Sequence, residues 1–279
     1  MIRLPFQFIT LVLLTLALLP FQLAGLLFRS PLQRLVPQIF HRGVCALLGI
    51  RINQIGRRSA NGPLLILSNH VSWLDIIVIT ATTPAVFVAK HEVASWPVFG
   101  WLAKLQRTVF IERERRHKTG EAAAAMANRL SGGDAVVLFA EGTSSDGNRV
   151  LPFRSALVGA VHHTLGNSAH HDSVTVQPLS IAYTGIGGVP TGRALRDRLA
   201  WYGDLELIPH MLGVLRSGAV DVTVSWGEAV AYDVSADRKA IARAAETEVR
   251  RMTAAARRRP GLAPPAPQPA PSSEPALAT

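Results

Sequence analysis

In PLLILSNHVSWLDI, Pro63 to Ile76, an apolar run breaks off into His70, Ser72, Trp73 and Asp75. The run stands behind Asn61-Gly62-Pro63 and reads as a short buried strand introduced by a turn. On one regular helix, residues five apart lie about 140° around the axis from each other, too far for an easy contact. His70 and Asp75 therefore meet only if a helix begins between them, with His70 in the strand-to-helix turn and Asp75 reaching back. A carboxylate so placed fixes the imidazole tautomer and leaves the other ring nitrogen free as a base. Ser72 is the nearest nucleophile, yet no GxSxG elbow surrounds it. The simpler scheme draws the attacking hydroxyl from the substrate. For an isolated pair, the plainer alternative is a structural histidine whose aspartate caps the next helix.

The pair is not isolated. AVFVAK (Ala85 to Lys90), TVFIER (Thr108 to Arg113), DAVVLFAEG (Asp134 to Gly142), SVTVQPLSIAY (Ser173 to Tyr183) and VDVTVSWGEAV (Val220 to Val230) read as further strands. Helical stretches lie between several of them, clearest in the alanine-rich HKTGEAAAAMANRLSGG. Strands alternating with helices predict a single α/β domain over residues 63–232, with a mostly parallel or mixed sheet flanked by helices. Ligands of open α/β sheets gather beyond the carboxyl ends of the strands. Arg113, with Arg115 and Arg116, follows one strand; Glu141, Gly142 and Thr143 follow another. A guanidinium suits a phosphate or carboxylate, and Gly142 lets backbone N–H groups come close to an anion. Taken singly, Arg113 in a surface ion pair and Glu141-Gly142 in an ordinary turn would suffice.

The ends of the chain carry different signals. Between Arg3 and Arg29 no residue is charged, and the stretch is long enough to cross a hydrocarbon layer of roughly 30 Å. Residues 1–29 are thus expected to be a membrane anchor or, with Pro20 permitting a kink, a re-entrant segment; a cleaved signal peptide is the rival. Arg29, Arg34, Arg42 and Arg51 follow it, a bias that places the body on the cytoplasmic face of the inner membrane. Residues 30–62 read as an interfacial or connecting helical region, and residues 233–259 as a basic helix with a cap at Ser235, solvated by default. From 260 to 279 the Pro/Ala composition cannot build a core and predicts disorder. The net charge of +10 implies attraction to a polyanion, acidic lipid or nucleic acid. No aromatic interleaving of the kind that stacks bases is present, so nucleic acid is not expected as a partner. The single cysteine, Cys45, excludes an internal disulfide.

Four ordered blocks resemble the glycerolipid acyltransferases typified by 1-acylglycerol-3-phosphate O-acyltransferase. NHVSWLD is similar to the family's HxxxxD, VFIER to its arginine block, FAEGT to its PEGT-like block and VQPLSIAY to its apolar block with a central proline, Pro178. The resemblance implies transfer of a fatty acyl group from acyl-CoA or acyl carrier protein to the free hydroxyl of a lysolipid such as 1-acyl-sn-glycerol-3-phosphate. In that scheme His70 is the base, Asp75 orients and charges it, Arg113 meets the acceptor head group, and Glu141, Gly142 and Thr143 complete the acceptor site. No cofactor or metal is implied, because a thioester is already activated. Two positions depart from the pattern: Ala140 replaces a proline and Ser144 a basic residue. FAEGTSSDGNRVLPF and AWYGDLELIPH resemble instead the branch that acylates lyso-ornithine lipid, a phosphorus-free acceptor.

Three other readings are open on sequence alone. His162, His163, His170 and His171 form two pairs that invite a metal, although no cysteine accompanies them. A membrane-tethered protein could hold lipid on its basic surface without catalysis. A thioester or ester hydrolase could use Ser72.

Overall fold

The computed structural model describes residues 3–60, 63–112, 119–156, 158–159, 173–233 and 236–258. Two long helices come first, α1 (Arg3–Leu27) and α2 (Leu32–Leu48), then β1 (Ile50–Ile55) and β2 (Leu64–Ser68). They are followed by α3 (Leu74–Thr82), β3 (Val86–Lys90), α4 (Phe99–Leu105), β4 (Val109–Ile111), α5 (Thr119–Ser131) and β5 (Ala135–Phe139). The rest comprises β6 (Ser173–Ile186), β7 (Val189–Pro190), α6 (Arg193–Asp197), α7 (Leu207–Arg216), β8 (Val220–Trp226), β9 (Val230–Asp233) and α8 (Arg238–Arg258).

The strands form one mixed sheet in the order β1-β8-β6-β2-β5-β3-β4, with β7 and β9 on β6. β6, β2, β5, β3 and β4 are mutually parallel, whereas β8 runs antiparallel to β6. Side chains alternate along each central strand: Leu64 and Ile66 enter the core with α3, while Leu65 and Leu67 enter the core with α5 and α8. Covering on both faces is why these strands read as unbroken apolar runs. Pro178 interrupts none of this. Its carbonyl accepts from the Gly227 N–H at the point where β6 changes partner from β9 to β8, so the donor that proline lacks has no ladder position to fill.

The sheet begins earlier than the sequence suggested. Ile50–Ile55, within the region expected to connect anchor and domain, pairs in parallel with β8 across its whole length. Its alternation is weak because one side of this edge strand is partly exposed. The stretch Val220 to Val230 divides into β8 and the start of β9, separated by residues 227–229. Helix α8 is also not simply a solvated basic helix: Ala242, Ala245, Val249, Met252 and Ala256 form a buried face at helical spacing, while Arg243 and Arg250 are exposed. The capping position Ser235 and the tail from 259 onward lie outside the described residues, as do Asn61 and Gly62.

Helix α1 is long and apolar enough to cross a membrane. It does not stand away from the domain. Gln7 Nε2 donates to the Leu47 carbonyl at 3.1 Å near one end, and Gln22 Nε2 donates to the Leu105 carbonyl at 2.7 Å near the other. Its polar side chains therefore face α2 and the body, while Phe8, Leu13, Leu16 and Phe21 face outward. The two helices come close at Gly25, where a Cβ would lie 2.6 Å from the Gln33 nitrogen. Gly25→Leu is expected to cost about 1–3 kcal/mol through overpacking and to speed tryptic cleavage in the α1–α2 turn, read by a thermal melt and a digestion time course.

Candidate active site

The carboxyl end of β2 places His70. After Ser68 the chain leaves the sheet, but Asn69 prolongs the β2–β6 pairing with its side chain: its Nδ2 donates to the Ile181 carbonyl at 3.0 Å and its Oδ1 accepts from the Ile181 N–H at 2.8 Å. The next turn is held from two sides. The His70 carbonyl accepts from the Ser145 N–H, and the Val71 carbonyl from the Trp201 N–H. Helix α3 then starts at Leu74, between His70 and Asp75, as the spacing requires.

Asp75 is fully buried and reaches back. Its Oδ2 accepts from the Val71 N–H at 2.7 Å, the Ser72 N–H at 3.0 Å and His70 Nδ1 at 2.8 Å. Its Oδ1 accepts from the Tyr183 hydroxyl at 2.6 Å. Burial raises the Tyr183 pKa well above its ordinary value, with the Asp75 charge adding to the effect, so the phenol remains a donor. A carboxylate surrounded by such donors accepts a hydrogen bond from Nδ1–H, and this leaves the lone pair of His70 Nε2 unblocked. The His70 ring stacks on Phe139, centroids 3.9 Å apart and planes 14° apart, and 18% of its side chain is exposed. The arrangement is a held imidazole with one basic nitrogen toward solvent. Ser72 is entirely buried, and its hydroxyl neither caps α3 nor meets a partner among the described residues.

Glu141 follows β5 on the same edge of the sheet and is 1% exposed. Burial pushes its pKa up to about 8; the His70 and Leu151 backbone N–H groups pull it down, and the Asp75 charge pushes it up. Neither carboxyl oxygen closes a well-formed hydrogen bond among the described residues. Gly142 has a φ of +76°, the left-handed conformation that favours glycine. Its N–H donates to the Phe139 carbonyl at 3.0 Å, so it closes the turn and is not offered to an anion. Thr143 is exposed. The loop beyond is pinned by Arg196, whose Nε donates to Asn148 Oδ1 at 3.1 Å, and by Arg257, which donates to the Asn148 and Gly147 carbonyls. Arg113, Arg115 and Arg116 lie outside the described residues, as do His162, His163, His170 and His171; β4, which precedes Arg113, ends on the edge that carries His70. No group of three or more potential metal ligands occurs among the described residues.

Sequence reasoning gave no role to Tyr183, Asn69 or Phe139. Tyr183 acts across a separation of 108 residues, which no local spacing can display. The one available hint was chemical, because a tyrosine in an apolar strand needs a partner for its hydroxyl. Asn69 was visible beside His70, but its use as a ladder extension depends on β6 lying alongside β2.

A family model described as Acyltransferase matches residues 49–182. The lyso-ornithine lipid O-acyltransferase of Brucella abortus is 51% identical over 240 residues, covering 86% of this chain and 90% of that protein. The protein of the same description from Rhizobium meliloti is 47% identical over 242 residues, covering 87% and 82%. Among solved structures, the 1-acyl-sn-glycerophosphate acyltransferase from Thermotoga maritima shares the fold, with a TM-score of 0.53 and 21% identity over 87% of this chain and 96% of that one.

Tyr183→Phe removes a buried hydrogen bond to a charged group, worth about 1.5–3 kcal/mol; kcat is expected to fall about tenfold with KM little changed, in steady-state assays. For Glu141 the folded state holds the proton to about pH 8, whereas the unfolded chain releases it near 4.5. Its stabilising contribution is therefore complete below the lower value and is lost as pH rises toward the upper one. Glu141→Gln should remove that loss, on the order of a few kcal/mol, and flatten the dependence of Tm on pH across this window.

Proposed function

This chain belongs to the acyltransferase family that includes the lysolipid O-acyltransferases, and from that premise we propose that it acylates lyso-ornithine lipid at the hydroxyl of its fatty chain. The observation that carries the reading is the His70–Asp75 pair, in which Nδ1 is held at 2.8 Å by a buried carboxylate and Nε2 remains available. A lipid hydroxyl is a poor nucleophile until a base takes its proton as the new bond forms. In the proposed reaction, Nε2 accepts that proton while the hydroxyl oxygen attacks the thioester carbonyl of acyl-CoA or acyl carrier protein. The tetrahedral intermediate collapses with cleavage of the carbon–sulfur bond, and the imidazolium returns the proton to the departing thiolate. Asp75 supplies the counter-charge throughout.

The choice of acceptor is supported by the two relatives described as lyso-ornithine lipid acyltransferases, which match along most of this chain. Ser144, standing where the resemblance leads one to expect a basic residue, favours an acceptor without a phosphomonoester. The second reading is 1-acyl-sn-glycerol-3-phosphate as acceptor, which the four sequence blocks fit equally. We place α1 and α2 against the cytoplasmic face of the inner membrane. The support is the apolar outer surface of α1, together with polar bonds that tie both its ends to the domain and oppose its leaving the domain to cross the bilayer.

A competition assay decides the acceptor: the membrane protein receives one labelled acyl thioester with lyso-ornithine lipid and lysophosphatidic acid together. Ornithine lipid is expected as the main product. His70→Ala should lower kcat/KM at least a thousandfold while leaving membrane association intact; equal activity in that variant would sink the base mechanism. Ser72→Ala, if folded, is expected to retain most of the activity, whereas total loss would favour a hydrolase.

A further inference from the structure

A second charged site lies at the opposite edge of the sheet. Between α2 and the amino ends of β3 and β5 is a cavity of about 210 Å³, with Gln33, Arg34, Arg58, Gln106, Arg107 and Asp134 on its wall. Asp134 is 3% exposed and is gripped by Arg34 Nε at 2.7 Å and by both terminal nitrogens of Arg107 at 2.8 and 2.9 Å. One carboxylate therefore faces three guanidinium groups on the cavity wall. Arg58 takes no part in holding it: one terminal nitrogen donates to Thr83 Oγ1 at 3.1 Å, and its buried Nε has no partner among the described residues. Outside the wall, Arg129 is close enough to feel the charges of Arg107 and Asp134, and its pKa is lowered by burial and by Arg107. Burial and Arg34 lower that of Arg58 in the same way. Crowded, half-buried cations of this kind are relieved by an anion, and the forked donors of arginine match phosphate oxygens.

We propose that this cavity is a phosphate-binding site, distinct from the catalytic one, that takes the head-group phosphate of an anionic phospholipid at the foot of the α1–α2 hairpin. Distinctness follows from β5: Asp134 precedes that five-residue strand, and Phe139, which stacks on His70, ends it. At about 3.3 Å per residue, roughly 13–17 Å of packed sheet separates the two sites. The lipid source follows from the neighbours of Arg34: Leu27, Phe28, Leu32 and Leu35 are all exposed, so an apolar surface suited to acyl chains adjoins the charged cavity. That source rests on the membrane placement proposed above. The phosphate chemistry rests on the arginines alone.

The full-length protein in detergent, titrated with inorganic phosphate and separately with monomeric dihexanoyl phosphatidylglycerol, gives an apparent Kd for each from the rise in Tm. The lipid is expected to bind, with its Kd weakened at least tenfold in Arg58→Gln and unchanged in Arg51→Gln, which alters an exposed arginine on β1. Arg129→Gln provides a second test should Arg58→Gln fail to fold. Saturable lipid binding that is tighter than that of inorganic phosphate, is displaced by excess phosphate and is weakened in Arg58→Gln identifies a head-group site; lipid binding that excess phosphate leaves untouched overturns it. Equal, competing binding of inorganic phosphate keeps the phosphate site but assigns it a soluble source. Absence of both, or wild-type affinity in folded Arg58→Gln and Arg129→Gln, overturns the proposal. Acyl transfer by the same preparations is a separate readout and should remain within twofold of wild type in both variants.

Discussion

The carboxylate of Asp75 is the constraint on which the catalytic edge depends. An ionised group without any exposed surface persists only where donors replace the water it has lost. Here the Val71 and Ser72 N–H groups, the Tyr183 hydroxyl and the His70 ring supply them. Three of these come from the turn that Asp75 itself stabilises, and the fourth comes from β6, on the strand next to β2. Histidine tautomer, turn shape and strand pairing are thus fixed by one side chain. This merges the two readings of the sequence, because Asp75 both closes the start of α3 and orients His70.

Around that carboxylate the sheet keeps a second acid apart from the first. Glu141 is buried beside the same turn with its pKa pushed up to about 8, so it carries a proton at neutral pH while Asp75 accepts four donors. The difference in surroundings is plain: Asp75 is ringed by donors, whereas Glu141 is buried without a well-formed partner among the described residues. A protonated Glu141 can donate, whereas an ionised one can only accept. This leaves the buried edge of the site with a neutral acid beside the Asp75 turn.

Much of this was legible in the sequence for an identifiable reason. Strands buried on both faces are recorded as short apolar runs, and the spacing of His70 and Asp75 forces a helix start between them. The strands β2, β3, β4 and β5 were readable on those grounds, though not their order in the sheet. β1 was not, because an edge strand of sequence IRINQI has no apolar run and gains its place by pairing with β8, far along the chain. Tyr183 stands in an apolar block that gives no sign of its bond to Asp75, since β6 must pass β2 before the hydroxyl finds that carboxylate. For α8 the arginines dominated the pattern, although alanines at helical spacing determine how it packs. Gly142 was read as room for backbone N–H groups beside an anion; its own N–H is taken by the Phe139 carbonyl, a turn bond that composition does not display.

The two edges of the sheet divide the chemistry by polarity. Parallel strands deliver polar turns at both ends, but the carboxyl ends open into loops that end on helix starts, where Asp75 can collect backbone N–H groups. At the amino ends the chain enters from helices and turns carrying Arg34, Arg58 and Arg107, with Asp134 as the carboxylate on the cavity wall. Helix α1 is bonded near both edges, through Gln7 to Leu47 and through Gln22 to Leu105. Since Leu47 lies just before the start of β1, which runs antiparallel to β2, the first of these bonds is made toward the catalytic edge. The outward apolar surface of α1 therefore extends from the side of the base to the side of the arginines. A bilayer meeting that surface would approach both ends of the sheet at once, and an acceptor could reach His70 without being drawn far from the lipid phase.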